Sequence, residues 1–318
     1  MKHKKAWMIT AGIIVVLLVI EIAASIFFYD LAIKRGPKDF LNDNEDLEVS
    51  DKAMDEFLQG DWIAWVNKQN FKEMTLTSRD GLKLKGYYLP AKKPTNKVVM
   101  LEHGYLGHAK QMGLYGKYYY EKLGYNVFMA DARGHGESGG EYYGFGWQDR
   151  LDLIDWTNLL AKKLGPGSEI VYHGLSMGAA TVLMASGEKL PKQVRAIVAD
   201  SPYNSVYDLF AYQMKRMYHL PAFPILDGTS IVTKIRAGYS LKEGSALHQV
   251  EKADVPILYI TGNADTFVPT NMTHDLYEHT NSPARILTVN GANHGESFVL
   301  AKKKYLATLS SFLHEYVQ

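Results

Sequence analysis

The chain has 318 residues, 47% of them apolar and 22% charged, which is enough for one large α/β domain or two modest ones. Its 35 Lys and Arg against 34 Asp and Glu leave a net charge of +1, so it carries no excess of basic charge for binding nucleic acid. It has no cysteine, which excludes disulfides, thiolate metal sites and a cysteine nucleophile.

The first element is apolar. After Lys2-His3-Lys4-Lys5, residues 6–29 carry Glu21 as their one charged residue. As a helix, this run spans about 36 Å at about 1.5 Å per residue, against a bilayer core of about 30 Å. It reads as a single-pass membrane anchor. A signal peptide cleaved near Ala23-Ala24-Ser25 and a buried core helix are the alternatives. Ile26-Phe27-Phe28-Tyr29 carry the apolar run past that cleavage site, and the run lacks polar positions at helical spacing. Lys2, Lys4 and Lys5 before the span balance Lys34, Arg35 and Lys38 after it. The tighter first cluster, with Asp30 on the far side, favours a short cytoplasmic tail and an external domain. Glu21 reads as a residue that snorkels to the interface.

Gly36 to Ser50 is polar and acidic and reads as a linker, and Asp51 to Lys68 as one or two short helices. Residues 31–70 thus form a connecting region with no catalytic role expected of it. From Phe71 to Pro90 the pattern alternates around Asp80-Gly81, a hairpin signature. "KVVMLEHG" then starts a series of buried strands, followed by "YNVFMADARG", "SEIVYHG", "VRAIVADSP", "VPILYITGN" and "ARILTVNG". Helices are expected from about Gln111 to Leu123, Trp147 to Lys163, Ser176 to Ser186 and Ser297 to His314. Such alternation predicts a mainly parallel sheet with helices on both faces over 71–318. Residues 201–250 break the rhythm with extra helices rich in Tyr, Phe and Met.

Within the third of these strand–helix units lies Gly174-Leu175-Ser176-Met177-Gly178. Strand, Gly-x-Ser-x-Gly and helix is the order of a nucleophile elbow, in which a strained serine presents its hydroxyl. An ordinary helix N-cap is the alternative for Ser176. A serine nucleophile needs a base, and the base needs a carboxylate to hold its tautomer. Asp265 in "YITGNADTFVP" and His294 in "VNGANHGES" each follow a strand, 29 residues apart. In a parallel sheet such loops share one edge, where Ser176, Asp265 and His294 would meet. Asp200 in "VADSPY" competes with Asp265 for the acid role, and a solvated loop residue is the alternative for His294. The backbone N–H groups of Met177 and of Tyr105, in the loop after the first parallel strand, are the oxyanion-hole candidates. His103 is expected to brace that loop.

Together, "LEHGYLGH", "DARGHGESGG", the elbow and the "GNADTFVP"–"GANHGES" pair make residues 71–318 resemble the α/β-hydrolase superfamily. The likeness is to bacterial membrane-anchored or exported serine hydrolases of the esterase, monoacylglycerol-lipase and serine aminopeptidase type. It implies the α/β-hydrolase fold, a cap formed by residues 201–250, and a serine hydrolase needing neither metal nor organic cofactor. Gly134-His135-Gly136-Glu137-Ser138-Gly139 also fits a dinucleotide fingerprint, but its helix begins too late and Asp149 and Asp152 look helical. The resemblance implies instead a structural turn here, anchored by Asp131 and Arg133. Tyr203, Tyr207, Phe210, Tyr212, Met214, Met217 and Tyr218 predict an apolar cap, although core packing accounts equally well for any one of them. No acidic pair stands ready for a substrate amine. A small-molecule ester with an apolar acyl group is therefore the expected substrate, with aminopeptidase activity or a catalytically silent membrane module as alternatives. The sequence leaves the oligomeric state open.

Overall fold

The computed structural model describes residues 2–42, 44 and 47–318. Met1 and three residues of the expected linker, Asp43, Glu45 and Asp46, lie outside the described residues. In chain order, the helices are α1 (Lys2–Ala32), α2 (Asp51–Gln59), α3 (Asp61–Lys68), α4 (Gly113–Tyr118), α5 (Asp149–Leu164) and α6 (Met177–Ser186). After them come α7 (Val206–Tyr218), α8 (Ile225–Ala237), α9 (Leu247–Val250), α10 (Thr270–Glu278), α11 (Ser297–Leu300) and α12 (Lys302–Tyr316). The strands are β1 (Lys72–Thr77), β2 (Lys83–Leu89), β3 (Lys97–Glu102), β4 (Asn126–Ala130), β5 (Glu169–Leu175), β6 (Val194–Asp200), β7 (Ile257–Gly262) and β8 (Ala284–Val289).

The eight strands form one sheet in the order β1-β2-β4-β3-β5-β6-β7-β8. β1 and β2 are antiparallel, as is β2 to β4, and every pair from β4 to β8 is parallel. β4 and β7 are buried along their whole length, because helices cover both faces and leave no solvent side to demand alternation. One apolar layer gathers Phe128, Trp156, Tyr172 and the buried face of α6; the other gathers Val99, Leu101, Tyr305 and Phe312. In the β1–β2 turn, the Ser78 hydroxyl accepts the Leu82 N–H at 2.8 Å and donates to Asp80 at 2.6 Å.

Three differences from the sequence expectations have local causes. The expected C-terminal helix is broken at Ala301 (φ −118°, ψ 33°) into α11 and α12. The connecting region is docked on the domain. Arg35 donates to the carbonyls of Ser138 and Gly140 at 2.9 and 3.3 Å, and Ser50 N–H donates to the Glu296 carboxylate at 2.6 Å. Third, α1 does not end its role at residue 30. It is exposed from His3 to Ile20, and from Glu21 onward it packs against α8, with Tyr29 and Ile33 entering the core. The Ser25 hydroxyl reaches the Ile225 carbonyl at 3.3 Å, and Asp30 pairs with Arg236 at 3.2 Å. The Glu21 carboxylate accepts from Ser25 at 2.9 Å and lies against Gly228, where a Cβ would strike it. α1 is long and apolar enough to cross a membrane.

Candidate active site

Parallel pairing brings the C-terminal ends of β3, β5, β6, β7 and β8 to one edge, and the site sits there. Ser176 joins β5 to α6 in the left-handed region, at φ 54° and ψ −115°. A non-glycine residue there is strained, and the surroundings must impose it. Its N–H donates to the Asp200 carbonyl at 2.8 Å, and the following ten residues are all buried helix. The flanking glycines do not supply the unusual φ; they supply room. A Cβ on Gly174 would run into the Gly178 carbonyl, and one on Gly178 would run into the backbone of Glu102 and lie 2.8 Å from the His103 carbonyl. All of these are backbone atoms, which cannot swing aside as a side chain can.

Ser176, His294 and Asp265 meet. His294 Nε2 lies 2.8 Å from Ser176 Oγ, and His294 Nδ1 lies 2.8 Å from Asp265 Oδ2. The other carboxylate oxygen, Oδ1, accepts the N–H groups of Phe267 at 3.1 Å and Val268 at 2.8 Å, which fixes the plane of the acid. Asp265 is buried, and the His294 side chain is 11% exposed. With a proton on Nδ1 directed at the carboxylate, Nε2 is left to accept from the serine hydroxyl. Burial pushes the His294 pKa down. The charge and hydrogen bond of Asp265, with a further contribution from the charge of Asp200, outweigh that, and the net shift is upward. The histidine loop bends at Gly291 (φ 74°) and Gly295 (φ 75°), where open space surrounds both α-carbons and the backbone conformation is the requirement.

Asp200 faces elsewhere. Its carboxylate is buried among the hydroxyls of Tyr305 at 3.0 Å, Ser201 at 3.1 Å and Tyr115 at 3.4 Å. Burial lifts its pKa to about 6 against the pull of the Tyr305 and Ser201 hydrogen bonds. Its main chain, not its side chain, serves the elbow.

Met177 is the first residue of α6, so its N–H has no acceptor within the helix. The Gly104–Tyr105 peptide is oriented by His103. His103 Nε2 accepts the Ala132 N–H at 3.0 Å, which leaves Nδ1–H to donate to the Gly104 carbonyl at 2.8 Å. In a trans peptide, the Tyr105 N–H then points to the opposite side from that carbonyl. The expected brace is thus seen in its hydrogen bonds.

The glycine-rich turn at 134–139 has no space for a phosphate. The Asp131 carboxylate fills it, accepting from Ala109 N–H at 2.7 Å and Glu137 N–H at 2.9 Å, and a Cβ on Gly136 would overlap it. Arg133 holds Asp152 through two hydrogen bonds, at 2.8 and 2.9 Å, and Asp80 at 2.8 Å.

Two pockets open onto Ser176. A narrow one, about 90 Å³, is lined by Phe145, Met177, Met214 and Leu226, among others. A wider one, about 390 Å³, lies on the His294 side against Trp62, Gln111 and Leu175. Leu41 and Leu47 of the connecting region and Phe57 of α2 also line the wider pocket, a contribution the sequence reading missed. So did the role of Glu296, whose carboxylate ties the histidine loop, through Asn293 N–H at 2.8 Å, to Ser50. The place of this acid two residues beyond the histidine was the available signal.

The sequence matches the prolyl oligopeptidase family over residues 114–318, more than half of the chain. The chain belongs to that family. It is therefore a member of the α/β-hydrolase superfamily and a serine hydrolase. The Bacillus subtilis protein YqkD is 30% identical to this hydrolase over 254 residues, 77% of this chain and 81% of the relative. The fold is shared with a Pyrococcus furiosus esterase at a TM-score of 0.63 and 24% identity, covering 80% of this chain and 94% of that one. It is also shared with a Pyrococcus horikoshii acylaminoacyl peptidase at a TM-score of 0.60 and 16% identity, covering 80% of this chain and 43% of that one.

Proposed function

We propose that this hydrolase cleaves carboxylic esters of small to medium apolar acyl groups, with Ser176 as nucleophile, His294 as general base and acid, and Asp265 as the group that orients and charges His294. The 2.8 Å contacts on both sides of the His294 ring carry this reading. Ser176 Oγ attacks the ester carbonyl while its proton passes to His294 Nε2. The N–H groups of Tyr105 and Met177 take the negative charge that develops on the carbonyl oxygen. The acyl–oxygen bond then breaks, His294 protonates the departing alcohol, and an acyl-Ser176 ester remains. Water, deprotonated by His294, attacks that ester; the acid leaves and Ser176 regains its proton.

The preference for esters over amino-terminal peptides rests on the lining of the site. Among the described residues, no carboxylate lines either pocket, so a substrate ammonium would be desolvated there without an ion partner. A panel of p-nitrophenyl esters beside aminoacyl p-nitroanilides tests the preference. Ester turnover should exceed anilide turnover by about 10²-fold or more, the scale at which an unpaired buried charge discriminates. Turnover of anilides alone would make the chain an aminopeptidase.

Residues 6–29 serve in this proposal as a single-pass anchor with the catalytic domain on the outer face. Proteolysis of intact cells should then degrade the domain; a domain protected until lysis would reverse its side.

A further inference from the structure

The narrow pocket has one wall that does not come from the catalytic domain or its cap. Phe28, Leu31 and Ala32 of α1 line it together with Met214, Met217 and Leu226 of the cap. Spacings of three and four residues put these α1 positions on one helix face. That face is fixed in register: the Phe28 ring meets Tyr218 of α7 edge to face at 5.3 Å, and the Ala32 carbonyl accepts the Tyr105 hydroxyl at 2.6 Å. The same helix continues from Ile20 back to His3 as an exposed apolar rod. α8, which packs on α1 from Glu21 onward, leaves Ile231 63% exposed and Ile235 78% exposed one turn apart, and Phe223 just before α8 is 75% exposed. Water is a poor neighbour for the exposed apolar rod of α1, whose length matches a bilayer, and lipid is the occupant that its chemistry fits.

We propose that the anchor helix is a wall of the acyl site and that the substrate is a membrane-resident ester with one long acyl chain, which enters from the bilayer along the α1–α8 seam. The proposal rests on the ester reading above; it names the membrane as the source of the substrate and extends the acyl group beyond the small to medium range given there. Phe28, Leu226 and Thr229 bring the pocket lining to the α1–α8 contact, where Thr229 Oγ1 also bonds to the Ser25 carbonyl at 3.4 Å. A chain bound with its carbonyl at Ser176 would therefore extend towards lipid rather than water. The wider pocket, which has Gln111 and His103 in its lining, would receive the polar alcohol.

The test uses the full chain in vesicles of ether-linked phosphatidylcholine, with 1-oleoylglycerol in the bilayer and p-nitrophenyl acetate in the water. Wild type should turn over both. Ala32→Trp places a large ring in the pocket and should lower the ratio of 1-oleoylglycerol to p-nitrophenyl acetate turnover by about tenfold or more. Phe28→Ala opens the same wall and should raise the preference for long over medium chains among p-nitrophenyl esters, which guards against misfolding of the first variant. Ile231→Glu combined with Ile235→Glu should raise the KM for 1-oleoylglycerol in vesicles and leave its kcat near wild type. An unchanged ratio in Ala32→Trp together with an unchanged chain-length preference in Phe28→Ala would overturn the proposal. Wild-type turnover of p-nitrophenyl acetate without 1-oleoylglycerol would also overturn it while leaving the ester reading standing. Loss of both activities in wild type would sink the ester reading itself.

Discussion

Ser176→Ala is expected to lower kcat for ester hydrolysis by about 10⁶-fold, the scale on which nucleophile removal acts in serine hydrolases. No other hydroxyl is hydrogen-bonded to His294 among the described residues, so no substitute can take over the attack. The oxyanion donors and the pockets remain, which should leave a residual acceleration of about 10³–10⁴ over the uncatalysed rate. Thermal melting of the variant should stay within a few degrees of wild type, because what the elbow needs from residue 176 is mainly backbone: its N–H to the Asp200 carbonyl and its own carbonyl to Ala180. Steady-state kinetics on a short p-nitrophenyl ester check the prediction. Retention of more than about a hundredth of wild-type kcat would point to a different nucleophile.

Asp265→Asn is expected to cost about 10⁴-fold in kcat, equivalent to about 5.5 kcal/mol. An amide at 265 can direct its NH₂ at His294 Nδ1 and so hold the ring with its proton on Nε2, the wrong nitrogen for accepting from Ser176. The variant also removes the charge that raises the His294 pKa, while the burial that lowers it remains. In wild type, kcat/KM should rise with pH as His294 loses its proton, with a midpoint above the ordinary imidazole value of about 6.5. In the variant, the residual rate should reach its plateau at lower pH. Asp200→Asn is the comparison. Its carboxylate is held by Tyr305 and Ser201, away from the imidazole, so the loss in kcat should be within about tenfold. A larger loss in Asp200→Asn than in Asp265→Asn would move the acid role from the loop after β7 to the end of β6.

The arrangement of the sheet edge that carries the candidate site was readable because chain order and sheet order coincide there. From β5 to β8, each strand follows the last in both sequence and space, so residues placed just beyond strand ends in the sequence had to converge. The elbow pentapeptide, Asp265 and His294 were visible as loop residues for that reason. The brace at His103 was visible because a histidine at the end of a buried strand has few other partners. What stayed hidden was non-periodic. The connecting region docks through Arg35 on backbone carbonyls and through the Ser50 backbone N–H on Glu296, contacts that leave no trace in hydropathy. Phe28, Leu31 and Ala32 were hidden for the opposite reason. A helix that meets lipid and a helix that lines an apolar pocket ask for the same side chains, so the apolar run expected to be an anchor gave no sign of the pocket. His173 of β5 lies 3.1 Å from each of the Tyr119 and Tyr305 hydroxyls, and a histidine within a buried strand gave no hint of these partners.

The proton path from Ser176 to His294 is tested most directly by treating the full chain with a fluorophosphonate and mapping the adduct by mass spectrometry. The account predicts one adduct per chain, on Ser176, forming at a rate that falls by several orders of magnitude in His294→Ala. An adduct on another residue, or labelling of Ser176 that proceeds equally fast without the imidazole, would contradict it.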